Sequence, residues 1–412
     1  MTLQSLWSRR QFLQRTSLVS ASGFLGSLLP GSSLHASEAT SAPFSGTAYV
    51  GSSENGGQLH VFTVNSRGWK LQQTIASRMP IAFSLSSDGR YLYALNHVAE
   101  TSSLPCGSVE AFGIDPSDGR ISLIHCRPLA LSATHPKHLA VSPDGNSLVV
   151  AVHGGGAYNL LPIEQDGSLG HVSSRVKETG SGPHPEHQSS AHPCAVVFAP
   201  GSKTFLSADA GCDRLSIFEI SDKSGAQHLP RKQQIQLPSG SCPSQILLHP
   251  DQRTLYVASS LASPSIFAYR LDPVTSLLSG ARSPLPLLDS ASNSDLSDVS
   301  LSIHPQGNIL YSCCTPSGDH QNKQSHIAAW KVDRVSGALA RTYSISIPYR
   351  QLDALIASPT GDNLLAIDKA SHAIVRMAMD TQSGKLGRVA TIAEVASPIS
   401  LALRPGVSTR SA

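Results

Sequence analysis

The feature that most constrains this chain is an internal repeat, in which an apolar strand, a turn rich in Pro, Asp and Gly, and a second apolar strand recur along its length. Segments 81–96, 138–153, 195–209, 245–260, 301–314 and 355–368 carry the unit. Their turn residues Gly89, Gly145, Gly201, Gln252, Gly307 and Gly361 lie 56, 56, 51, 55 and 54 residues apart. A third strand follows in most units, starting near Val109, Leu215, Ile266, Ile327 and Ile374, and Asp or Asn turns after it lead to an outer fourth strand. A regular period of this length predicts blades, each a four-stranded antiparallel meander, and an open two-sheet sandwich does not explain it.

A seventh unit opens at Ile399 and stops at Pro405, while the strands it lacks stand at the other end of the chain, from Ala48 to Val64. Pairing the two ends closes a circle and removes the free sheet edges that invite aggregation. The expected fold is therefore all-β: a seven-bladed β-propeller whose N-terminal strands complete the last blade. The 412 residues need no second domain, and divide into a leader (1–36), a linker (37–45), the propeller (46–406) and a C-terminal tail (407–412). Charged residues make up only 14% and the net charge is +3, with no basic block or aromatic-interleaved basic stripe. Nucleic acid is thereby excluded as an expected partner, and a monomer is expected.

The first 36 residues read as an address. Ser8-Arg9-Arg10-Gln11-Phe12-Leu13 resembles the twin-arginine export signal and precedes a weakly apolar run from Thr16 to Leu29. That run is too short and too rich in Ser and Gly for a stable membrane span. Export to the periplasm or the exterior is expected, with cleavage after Ala36. Such a compartment permits disulfides, but seven cysteines cannot all pair within one chain. Cys194 with Cys212 is a conceivable pair; most of the seven read as small core residues.

In a propeller the first strand of each blade lines the central channel, and its start shares a rim with the end of the second strand. This geometry nominates His135, Lys137, His138, His192, Gln245, Asp298, Arg350 and Asp353 from strand starts. From second-strand ends it nominates Asn96, His97, His153, Asp209, Asp213, Asp368 and Lys369. Histidines and acids are dense here for so weakly charged a chain. No tryptophan stack for a planar cofactor and no Asp/Glu/Asn calcium cluster stands in these loops, so no cofactor and no metal is expected and a quinone- or metal-dependent dehydrogenase finds little support.

Three stretches in the middle of the chain add a resemblance. They are Ala151-Val152-His153-Gly154-Gly155 with Leu161 to Leu169, then Gly182-Pro183-His184-Pro185-Glu186-His187 with Ala191-His192-Pro193, and finally Ser207 to Leu215 with its Asp209-Ala210-Gly211-Cys212-Asp213 core. Together they resemble the seven-bladed lactonase propellers, which include bacterial 6-phosphogluconolactonases of the propeller type and a fungal muconate-cyclising enzyme. The resemblance spans roughly residues 45–406. It implies hydrolysis of a sugar or organic-acid lactone by metal-independent general acid–base chemistry: His153 as base or proton shuttle, Asp209 orienting an imidazole. His138, Lys137, His184, His192, Gln245, Asp298 and His97 would hold the substrate. Histidine suits the base because its ordinary pKa lies near neutrality.

The chain departs from that family in one sector. Cys242-Pro243-Ser244-Gln245 stands where the family places Gly-Pro-Arg-His, Ser300 stands where an acid enters the fifth inner strand, and Thr315 replaces an arginine. The second and third blades thus keep a lactonase-like half-site that the fourth and fifth do not match. A propeller that kept the scaffold as a binding or interaction module is the alternative function. The residues have plainer readings as well: histidines at strand ends can be hydrogen-bonded rim groups, and Asp209 and Asp213 can cap turns.

Overall fold

The computed structural model describes residues 44–97, 106–223, 225–261, 264–288, 296–316, 324–348 and 351–406. The expected leader, Arg350 and the C-terminal tail lie outside the described residues. Seven sheets are arranged as seven blades, each essentially an antiparallel meander. Numbered in chain order, their innermost strands are Pro80–Leu85, Pro136–Val141, Pro193–Phe198, Pro243–Leu248, Leu296–Ile303, Leu352–Ala357 and Pro398–Pro405. The ring closes as expected: Gly46–Ser52 pairs with Pro398–Pro405, with Ala48 opposite Leu403 and Val50 opposite Leu401. Phe44, just ahead of the first strand, is buried and packs with Val64 and Leu403. No helix among the described residues is long and apolar enough to cross a membrane.

Two blades depart from the simple meander. Blade three inserts a small hairpin, Ser221–Lys223 with Ala226–His228, before its outer strand Arg231–Gln236. In blade four the outer strand is broken into Leu278–Ser279 and Leu285–Pro286, in a stretch where Gly280, Pro284 and Pro286 weaken ladder pairing by adding backbone freedom or removing donors.

The inner strands are buried on both faces, and their side chains, pointing alternately to either side, build apolar layers between neighbouring blades, such as the layer of blades three and four around Leu206, Ile217, Leu255 and Val257. Polar ties then fix the angle between blades. Tyr49, Tyr93 and Tyr256 each donate their hydroxyl to the carbonyl of a turn glycine in the next blade, Gly119, Gly167 and Gly337, at 2.9, 3.1 and 3.0 Å. On the face where first strands end, His249 Nε2 donates to the Gly307 carbonyl at 2.8 Å and His304 Nε2 to that of Gly361 at 3.0 Å. Those two glycines are dictated twice over. Both have φ above +70°, and a Cβ would stand 2.5 and 2.1 Å from the imidazole nitrogens.

All seven cysteines are free, which overturns the conceivable Cys194–Cys212 pair; six are buried and Cys126 is half-buried. Cys194 instead donates its thiol to the Pro243 carbonyl at 3.1 Å, tying blade three to blade four.

Candidate functional site

The channel mouth is built by a repeated distortion. In blades one to five the inner strand carries a register shift just after its first residue, as between Pro136 and His138. Such a bulge re-aims the extra residue. In blade two that residue is Lys137, and its counterparts in blades three and four are Cys194 and Ser244. The residue ahead of the strand's proline is left-handed in four blades, at Met79, His135, Cys242 and Ser397, with φ between +45 and +61°. Backbone held this way is characteristic of rims that position side chains.

Six histidines gather here as three pairs. His97 Nε2 and His135 Nδ1 share a hydrogen bond of 2.9 Å, joining blades one and two. His153 and His192 stack with centroids 4.3 Å apart and planes 7° from parallel. His184 and His187 lie at 4.6 Å in the loop before blade three. Burial, then Lys137, then His192, His135 and His187 hold the His153 imidazole well below its usual proton affinity. His153 thus feels Lys137, its stacking partner His192 and one histidine from each of the other two pairs. His153 remains partly accessible, and among the described residues its ring nitrogens have no hydrogen-bond partner. Its carbonyl accepts from His192 Nδ1 at 3.0 Å, which fixes the stack.

Asp209 is buried beneath this stack. Oδ1 accepts the backbone N–H of His192 at 2.7 Å and of Gly211 at 3.0 Å, while Oδ2 receives Arg214 at 3.1 Å. Arg214 continues to Glu178 at 2.6 Å, and the other oxygen of Glu178 accepts from Arg231. Asp209 thus orients an imidazole through the peptide that carries it, not by touching a ring. Asp213, at φ +50°, joins three loops: it accepts from Gln188 Nε2 at 2.6 Å, Gly240 N at 2.6 Å and Cys242 N at 2.7 Å. Glu178, Arg214, Arg231 and Gln188 are the supports that the rim rule missed, because they lie on outer strands and an insertion loop. The adjacency of Arg214 to Asp213 was the one signal available.

Lys137 is buried, and its charge also bears on the Cys194 and Cys242 thiols. Burial pushes Cys242 up to about 12 and Cys194 higher still, so neither is a thiolate nucleophile. His138 accepts the Val196 N–H on Nδ1 at 3.2 Å, tying blade two to blade three.

Three expected substrate contacts have other placements. Gln245 is corrected to a structural role: its amide exchanges two hydrogen bonds with the Leu301 backbone, 2.6 and 3.2 Å, and is consumed in holding blade five. His184 Nδ1 accepts the N–H of Glu186 and of His187, both at 3.3 Å, and so caps its own loop. Asp298 pairs through its backbone with Thr315 in blade five, and its side chain lies outside the described residues. Across the ring, Asp353 forms an ion pair with Lys369 at 2.8 Å. The mouth thus holds Lys137 at blade two and the Asp353–Lys369 ion pair at blade six.

The chain is thus a seven-bladed propeller with a polar, histidine-rich mouth at one end of its central channel. The family model described as "Lactonase, 7-bladed beta-propeller" matches residues 47–403, and the chain belongs to that family. Among similar proteins, the 6-phosphogluconolactonase of Bacillus subtilis is 22% identical over 364 residues, covering 85% of this chain and 96% of that protein. That of Formosa agariphila is 26% identical over 338 residues, covering 80% and 91%. Among solved structures, the periplasmic gluconolactonase of Pseudomonas aeruginosa superposes with a TM-score of 0.76 at 21% identity, covering 88% of this chain and 99% of that one. A putative 6-phosphogluconolactonase of Bacteroides fragilis gives 0.73 at 22% identity, covering 87% and 98%.

Proposed function

We propose that this protein hydrolyses a small lactone at the channel mouth of blades two and three. The observation that carries the reading is the buried Lys137 set against the partly open His153–His192 stack. Water attacks the lactone carbonyl carbon while neutral His153 takes its proton. Lys137 holds the oxygen that becomes negative in the tetrahedral intermediate, and the ring oxygen leaves with the proton returned by the imidazolium. A depressed proton affinity suits this cycle twice: the imidazole is neutral near pH 7, and once protonated it is a strong acid toward the leaving alkoxide. Asp209 and Glu178 position the stack.

The substrate is a sugar or organic-acid lactone without a phosphate group. Ser244 gives its hydroxyl to the Ala258 carbonyl and Gln245 is engaged with Leu301, so blade four offers no cation to a phosphate. Export by the twin-arginine route, suggested by Arg9 and Arg10, fits that preference, because phosphorylated sugars are scarce outside the cytoplasm. The test is hydrolysis of a panel of aldonolactones and their 6-phosphates by the purified protein. H153A should lower kcat by about 10²-fold or more, with K137M raising KM or lowering kcat. An unchanged rate in H153A removes His153 from the mechanism. No activity on any lactone, with tight binding of one, favours instead the binding propeller, for which the missing Arg and His of blade four are the supporting observation.

A further inference from the structure

We infer that the opposite face carries a second site, a cleft between blades six and seven built to take a small organic anion with a flat, apolar body. The cleft measures about 270 Å³ and is lined by residues from the turn and strands of blade six and from the outer hairpin of blade seven. It faces away from the histidine mouth, since it is bounded by Ser358 and Asn363, where the first strand of blade six ends and the second begins.

Its lining contains two arginines, Arg67 and Arg376, and no Asp or Glu. Among the described residues neither guanidinium makes a hydrogen bond or an ion pair. Arg67 projects from an exposed hairpin, where a lone cation is ordinary. Arg376 is different. It sits in the middle of the strand Ala373–Ala378, half-buried, opposite Leu365 and Ala390. Withdrawing a cation from water without an acceptor costs free energy, and an arginine kept at such a place points to an anion supplied from outside. Trp69, tilted 51° against Phe62, lines the cleft together with Phe44, Leu365 and Leu403. Two guanidinium forks and an indole lining one cleft match a carboxylate carried on a ring. The volume lies just below the usual range for ligand pockets, roughly 300–1,000 Å³, and limits the guest to about the size of one ring.

The experiment uses the full chain with three probes: benzoate, the neutral benzyl alcohol, and inorganic phosphate, followed by calorimetry and by tryptophan fluorescence. Benzoate is expected to bind saturably, at least 10-fold more tightly than either other probe. R376Q should weaken it at least 10-fold, and R67Q, on the exposed hairpin where folding is not at stake, several-fold; W69F should remove the fluorescence response. Binding in H153A should equal the parent's. Benzyl alcohol binding as well as benzoate would remove the anion requirement, and phosphate doing so would remove the ring. Benzoate affinity lost in H153A but kept in R376Q and R67Q would place the anion in the central channel and overturn the proposal.

Discussion

Substituting Asp209 separates charge from hydrogen bonding in the support beneath the histidine stack. D209N keeps one carbonyl-type oxygen that can still accept from the backbone of His192 and Gly211, but it presents a neutral group to Arg214. Removing one partner of a buried ion pair costs about 3–5 kcal/mol. Arg214 retains Glu178 at 2.6 Å, so the loss should fall below that range, at about 2 kcal/mol or roughly 30-fold in the folding equilibrium. D209A leaves two buried backbone N–H groups without acceptors, at about 1–3 kcal/mol each. Its total should reach about 4–5 kcal/mol, since the terms are coupled and do not add fully. Urea unfolding followed by tryptophan fluorescence reads both variants on one scale. Lactone turnover reads the site: D209A should lose more activity than D209N, because the peptide holding the His192 ring is released. Equal midpoints for D209N and the parent, or D209A no worse than D209N, would refute the account of Asp209 as a charged clamp.

The remaining predictions are briefer. Y256F should cost about 1 kcal/mol, because its hydroxyl bonds the Gly337 carbonyl, whereas Y311F should be neutral or slightly stabilising, because the buried Tyr311 hydroxyl has no partner among the described residues; equal losses in the two would sink the contrast. Burial lowers the proton affinity of His153, His304 and His326, so the unfolded chain binds more protons than the native one below about pH 6.5. Stability should therefore be full above that pH and decline as acid is added, with a gentler decline in H304Q; a flat profile from pH 7 to 5 contradicts the assignment. Thiol titration of the native protein should find at most one readily reactive cysteine, Cys126, and seven after denaturation, while fewer than seven would reveal a disulfide that the structure lacks.

Much of the scaffold was legible because each blade must bury the same two faces against the same kind of neighbour, so strands and turns recur at fixed spacing. The ring closure followed from strands missing at one end and present at the other. The supports of the site were less legible for a physical reason: Glu178, Arg214, Arg231 and Gln188 come from different strands and loops, and no period relates them. Rim geometry could say that Gln245 begins an inner strand, yet the direction of its amide depends on a one-residue bulge that a sequence period cannot locate. The same bulge makes the position of Lys137 special, since it recurs in the inner strand of five blades and leaves the choice of side chain open. Blade two uses that freedom for a cation, blade three for a thiol that ties blades together, and blade four for a serine bonded to its own sheet. The side chain at this one recurring distortion thus differs from blade to blade, and exchanging Lys137 and Ser244 is the pair of substitutions that would move the lysine from blade two to blade four.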